Sequence, residues 1–287
     1  MKWQGRRKSN NIEDRRRSSG GAAVGGIGGL GVIVVVVVGY FLGIDVSPLL
    51  NGLDPGQGGG ISSASNVEIT PADEQAAEFV SVVLADTEQV WTQLLQDQAG
   101  QPYVPPVLVL FKGTTQSTCG GASAATGPFY CPPEKKVFLD TDFFVTMQQE
   151  LGAGGDFAAA YVVAHEIGHA VQDQLGILDQ ASRVRSQVDE AESNAISVRI
   201  ELQADCFAGV WANAEQATFG NLERNDIAEA LNAAARIGDD TLQRNAGQAV
   251  RPDSFTHGTS AQRQRWFSMG YDSGQLDQCD TFNASQL

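Results

Sequence analysis

The sequence predicts an α+β domain, mainly helical with a small sheet, behind one N-terminal transmembrane helix. Three observations predict it. No charged residue stands between Arg17 and Asp45. Two short apolar runs, 107–111 and 136–139, read as strands early in the domain beyond that stretch. From Asp156 onward helical patterns dominate, and strands followed by helices argue for α+β.

Residues 1–17 carry Lys2, Arg6, Arg7, Lys8, Arg15, Arg16 and Arg17 against only Glu13 and Asp14, and read as a disordered basic tail on the cytoplasmic side. The next segment, 18–43, has an apolar centre from Ala22 to Leu42 that includes Val32 to Val38. That is about the 20 residues a bilayer-spanning helix needs. Its glycines are tolerated in membrane helices, and the basic flank in front keeps the N-terminus cytoplasmic and exports the rest. A cleaved signal peptide is the competing reading, but no clear small-x-small site follows Leu42. Residues 44–68, with Asn51-Gly52, Asp54-Pro55-Gly56 and Gly58-Gly59-Gly60, read as a flexible tether.

The folded domain is expected over 69–287. Thr70 caps a helix with Pro71 in its first turn, and Gly100 ends it. The two strands come next, joined by a Gly/Ser/Pro-rich loop over 113–133. Helices are expected over 156–175, with Asp156 as cap and Gly176 closing it, then over 179–218 with a break, 225–236 and 260–270. A hydrophobic fraction of 42% is enough for a packed core. The net charge of −15, after the basic start is set aside, leaves a body too acidic for nucleic acid. Four cysteines in an exported domain suggest two disulfides. The local pair Cys119–Cys131 is the natural first guess, which leaves Cys206–Cys279; the sequence by itself allows three pairings.

The chemistry is carried by His165-Glu166-Ile167-Gly168-His169 on the helix expected over 156–175. Histidines four residues apart share one helical face, and one zinc ion can take both. Glu166 can reach a water there without being a ligand, the H-E-x-x-H pattern of metalloproteases. With three histidines in the chain, a chance match is on the order of one in a thousand. A third ligand is needed, and no histidine follows within 173–177. Glu201 is the candidate, with Asp205 one turn on to accept the N–H of a ligand histidine. A Glu/Asp pair is usually a solvated face, but apolar Ile200, Leu202 and the 207–211 run surround this one. Glu190 and Glu192 are the runners-up. His257 reads as a donor to the oxyanion of a tetrahedral intermediate, or else as a packing residue. Thr259 and Gln262 box the helix after it, and Arg263 either locks this loop or pairs with an active-site acid. Trp266, Phe267 and Tyr271 read as core.

Taken together with Met1–Arg6, Ser9-Asn10-Asn11, Cys119-Gly120, Gly127–Pro132, Leu139-Asp140, Phe143-Phe144, Glu201–Cys206 and His257-Gly258, the chain resembles the bacterial putative neutral zinc metallopeptidases, a membrane-anchored group. Glu201/Asp205 and His257/Arg263 also match the spacing of the gluzincin group of prenyl-protein and heat-shock membrane peptidases. The resemblance implies a zincin-like domain, one Zn2+ per chain, a peptide or protein substrate, and a place in the bacterial inner membrane with the catalytic domain periplasmic. The expected function is zinc-dependent endopeptidase action with metal on His165, His169 and Glu201 and Glu166 as general base. Substrate is expected along the strand 107–111 or 136–139, and the bilayer is the partner of 18–43. The rival from another class is a non-catalytic envelope protein that binds a partner through the same fold.

Overall fold

The computed structural model describes residues 1–17, 68–123 and 126–287. The expected span 18–43, and the tether up to residue 67, lie outside them. Among the described residues no helix is long and apolar enough to cross a membrane.

The structure is mixed α+β and mostly helical. Strand β1 (Ile12–Asp14) precedes helix α1 (Pro71–Ala99), then come β2 (Val107–Phe111), β3 (Thr114–Ser117), β4 (Gly120–Ser123), β5 (Phe129–Cys131) and β6 (Lys136–Asp140). Next in order are helices α2 (Asp142–Gln149), α3 (Asp156–Gln174), α4 (Ile177–Arg185), α5 (Glu190–Phe219), α6 (Asp226–Arg236), α7 (Asp239–Asn245) and α8 (Ser260–Ser273). Thr70 and Asp73 close a capping box on α1, and Gly100 ends it in the left-handed region. The expected break after residue 179 falls between α4 and α5, where Asp189 caps the longer helix.

The main sheet runs β1-β2-β6-β5, with β1, β2 and β6 parallel and β5 antiparallel at one edge. Three expectations are corrected here. The stretch 113–133 is not a bare loop: it holds the hairpin β3–β4 and the edge strand β5. The cap of α3 is Gly155 and not Asp156, which is the first helical residue and makes no cap bond. Neither 107–111 nor 136–139 is an edge, since β1 covers one and β5 the other, so neither is open to an added peptide strand.

Residues 1–17 are not a loose tail. Glu13 is in register with Val109, the Leu108 N–H donates to the Asn11 carbonyl at 2.8 Å, and the Arg15 N–H to that of Leu110 at 2.7 Å. Met1 and Trp3 are buried in the core, Trp3 edge-on to Phe79. The cations that suggested a cytoplasmic flank meet carboxylates of the domain: Arg6 with Asp86 at 2.9 Å, Lys8 with Glu78 at 2.7 Å, Arg16 with Asp14 at 2.6 Å and Glu74 at 3.2 Å. This corrects the reading of residues 1–17 as a disordered tail.

Both disulfides form as the local pairing suggested, Cys119–Cys131 and Cys206–Cys279. The core gathers on α3, which is buried on all sides around Tyr161 to Ile167, with α5 and α6 against it.

Candidate metal centre

Helix α3 meets α5 at a glycine. A Cβ on Gly168 would sit 3.1 Å from the Ala204 carbonyl oxygen and 3.3 Å from its Cα, so a larger residue would push the α5 backbone back by a few tenths of an ångström. Glu201 and Asp205 flank Ala204 on α5, and the close approach lays both over the histidines of α3. The two imidazole centroids are 4.8 Å apart. Glu201 reaches both rings, Oε2 lying 3.1 Å from His165 Nε2 and Oε1 3.5 Å from His169 Nε2. Candidate ligand atoms of His165, His169 and Glu201 all fall within 4.8 Å of one another.

The other nitrogen of each ring is held from behind. His165 Nδ1 is 2.9 Å from Asp205 Oδ1, and His169 Nδ1 is 2.8 Å from Gln172 Oε1. Each contact holds a ring N–H on the side away from the centre, so that the neutral ring would present its Nε2 lone pair toward a metal. Two imidazoles and one carboxylate are donors that zinc takes in catalytic sites. The set therefore fits the ion. Glu166, beside His165, is 7% exposed.

Asp205 is fully buried and gathers four donors: the Tyr161 hydroxyl, His165 Nδ1, Arg263 Nε at 2.8 Å and Arg263 Nη2 at 2.9 Å. Burial opposes its charge, but Arg263 and His165 prevail and hold the carboxyl down at about 2. Burial likewise works against charge on His165, and Asp205 and Glu201 overcome it, carrying the imidazole up to about 10. The same opposition acts at Glu201, where burial is outweighed by the two histidines and the carboxyl falls well below its ordinary value.

Comparison with known proteins identifies the family of the chain. A family model described as "Putative neutral zinc metallopeptidase" matches residues 1–282. The chain belongs to that family. Among its relatives, "Uncharacterized protein YpfJ" of Escherichia coli (strain K12) is 47% identical over 294 residues, spanning 99% of this chain and 100% of the relative. "Uncharacterized protein Rv2575" of Mycobacterium tuberculosis (strain ATCC 25618 / H37Rv) is 43% identical over 210 residues, 70% of this chain and 68% of that one. No solved structure matches the chain.

In this zinc metallopeptidase family member the runners-up Glu190 and Glu192 stay in the first turn of α5, away from the cluster formed by Glu201. Arg263 takes the second of its expected roles, pairing with Asp205. His257 precedes α8, and its charge helps lower Glu201. Its loop is fixed by Asp239, whose Oδ2 accepts the backbone N–H groups of Thr256 at 2.8 Å, His257 at 2.7 Å and Gly258 at 3.0 Å. Asp239 Oδ1 lies 3.2 Å from His257 Nδ1, which leaves Nε2 as the free ring nitrogen. Tyr161, Gln172 and Asp239 were not marked by the sequence. Tyr161 and Gln172 could have been found by position, one turn before His165 and just under one turn after His169 on the same helix. Asp239 offers no such signal, since only the fold brings it under the 256–258 loop.

Proposed function

We propose that this chain is a zinc-dependent endopeptidase, with the metal on His165, His169 and Glu201. The observation that carries the reading is the paired restraint of the imidazoles: Asp205 and Gln172 take the Nδ1 protons, and both Nε2 atoms face one carboxylate. A zinc ion held by these three residues would supply Lewis acidity to a substrate carbonyl and to a bound water near neutral pH. Glu166 takes the proton of the attacking water and returns it to the leaving amine. His257, held through Nδ1 and its own backbone by Asp239, offers Nε2 to the oxyanion. Strand β5 is an open edge packed against α3, with the Tyr130 hydroxyl donating to Asp173 at 2.6 Å. We assign to it the extended substrate in place of the two inner strands.

Two disulfides suit an oxidising compartment, and we place residues 1–17 and 68–287 together outside the cytoplasm. A bilayer remains the proposed partner of residues 18–43 on their composition.

The test compares zinc content and peptide turnover in the full chain, Glu166→Gln and Glu201→Gln. Glu166→Gln should hold about one zinc per chain and lose turnover, because the ligands are intact and the base is gone. Glu201→Gln should lose both. Undiminished turnover in Glu166→Gln would refute its role as general base, and absence of turnover from the wild-type chain would leave the partner-binding envelope protein as the better account.

A further inference from the structure

The support behind His169 does not stop at Gln172. Gln172 is fully buried, and both its amide hydrogens are used: Nε2 donates to the Ile200 carbonyl at 2.8 Å and to Gln203 Oε1 at 3.0 Å. Gln203, 6% exposed, donates from Nε2 to the Cys279 carbonyl at 2.9 Å. Cys279 is bonded to Cys206, three residues beyond Gln203 on α5.

The polarity of this chain is set at its far end. Carbonyl oxygens can only accept. The Cys279 carbonyl therefore obliges Gln203 to present its nitrogen there and its oxygen to Gln172. Gln203 Oε1 and the Ile200 carbonyl then both oblige Gln172 to turn its NH2 toward them. Only its oxygen is left for His169, which must answer with Nδ1–H and keep Nε2 open. Flipping either amide would bring oxygen against oxygen in a buried site, at about 1–3 kcal/mol for each polar group left unpaired.

The Cys279 carbonyl is in turn held against α5 by a row of side chains on one helical face. Arg199, Gln203 and Cys206 are spaced by four and three residues. Arg199 donates to the Thr281 and Phe282 carbonyls, and the Thr281 hydroxyl donates back to the Arg199 carbonyl at 2.7 Å. The disulfide is the covalent member of that row.

We propose that the Cys206–Cys279 disulfide, acting through Gln203 and Gln172, fixes the tautomer and aim of His169 and so sets how tightly the centre holds its metal. Gln172 and Gln203 are positioning residues in this scheme. The inference rests on the zinc reading of the site.

The test measures zinc dissociation constants of the full chain by chelator competition, for wild type, Gln203→Met, the double variant Cys206→Ala/Cys279→Ala, and the triple combination. His169→Ala serves as a control for the site itself. Gln203→Met and the cysteine variant should each weaken binding about tenfold, the scale of outer partners of metal ligands. The triple variant should be no more than about twofold weaker than either, because both changes cut one linear chain and are therefore not additive. A disulfide that only stabilises the fold would lower the melting temperature of the metal-free chain without shifting the dissociation constant, and that result overturns the proposal. So does full additivity, or wild-type affinity in folded Gln203→Met, a variant that keeps the disulfide if the cysteine variant does not fold. Absence of zinc from wild type, or its retention in His169→Ala, would overturn the zinc reading itself.

Discussion

Asp205 accepts four hydrogen bonds on two oxygens in a site that water does not reach, so each partner's loss has a distinct signature. Arg263→Met should destabilise the chain by about 3–5 kcal/mol in urea unfolding, because it leaves a buried carboxylate without its cation. Adding Asp205→Asn should restore much of that stability while zinc affinity stays about 10–100-fold weaker, since the neutral amide no longer draws the His165 proton. If Arg263→Met is as stable as wild type, the pair does not hold α8 to α5. Six of the site's residues were legible in advance, Arg263 among them as a partner for an active-site acid. His165, Glu166, His169, Glu201 and Asp205 are joined by spacings that a helix turns into faces. Tyr161 and Gln172 were overlooked although they lie at helical spacing from the histidines, and Asp239 was not legible because only the fold brings it under the 256–258 loop.

Helix α8 reaches α5 through two facing glycines. A Cβ on Gly270 would run into the Cys206 carbonyl, and one on Gly209 into the Phe267 carbonyl. Gly270→Ala should therefore cost about 1–3 kcal/mol or more by overpacking, although alanine favours helix elsewhere. A melting temperature at or above that of wild type would show that the helices can part without penalty. A second contact between elements titrates. Glu215 of α5 and Asp86 of α1 are buried side by side under Arg6, with Asn221 donating to Glu215 at 2.7 Å. Burial, then the Asp86 charge, raise Glu215 from an ordinary 4.5 to about 8. A carboxyl raised on folding binds more protons folded than unfolded, so this group's contribution to stability falls as pH climbs from about 4.5 through about 8. Glu215→Gln should match wild type in melting temperature at pH 5 and exceed it increasingly toward pH 8. Equal curves at both pH values would refute the burial of a charge there. Long helices and the two inner strands were readable because their apolar residues recur. The hairpin strands β3 and β4 carry Gly, Ser and Thr with no such period, β5 has only three residues, and α2 and α7 span only about two turns each.

At the scale of the whole molecule, the first seventeen residues were misread for a physical reason. Dense Arg and Lys normally mark solvent or an anionic surface, and their acidic partners here stand on α1 and α5, far along the sequence. The docked segment makes a topological prediction. All four cysteines are bonded, so single cysteines at exposed Lys8 and Arg224 are the only free thiols in their variants. In whole cells an impermeant maleimide should label both or neither. Labelling of Arg224→Cys alone would restore the single-crossing arrangement. Correspondingly, a fragment of residues 69–287 should be less stable than the full chain, since it loses the packing of Trp3 on Phe79 and the β1 ladder. Equal urea midpoints would count against that docking.

Strand β1 is synthesised before every element it pairs with and must wait for them to find its place. Its ladder partner β2 comes roughly ninety residues later, and Asn221, whose carbonyl receives the Lys2 N–H at 2.8 Å, comes near the end. Contacts this distant in sequence slow folding. Until the segment returns, β2 offers an unpaired apolar edge, Val107 to Phe111, to any neighbouring chain. The early strand thus acts late, as the chain's own protection against pairing with copies of itself while it is being made.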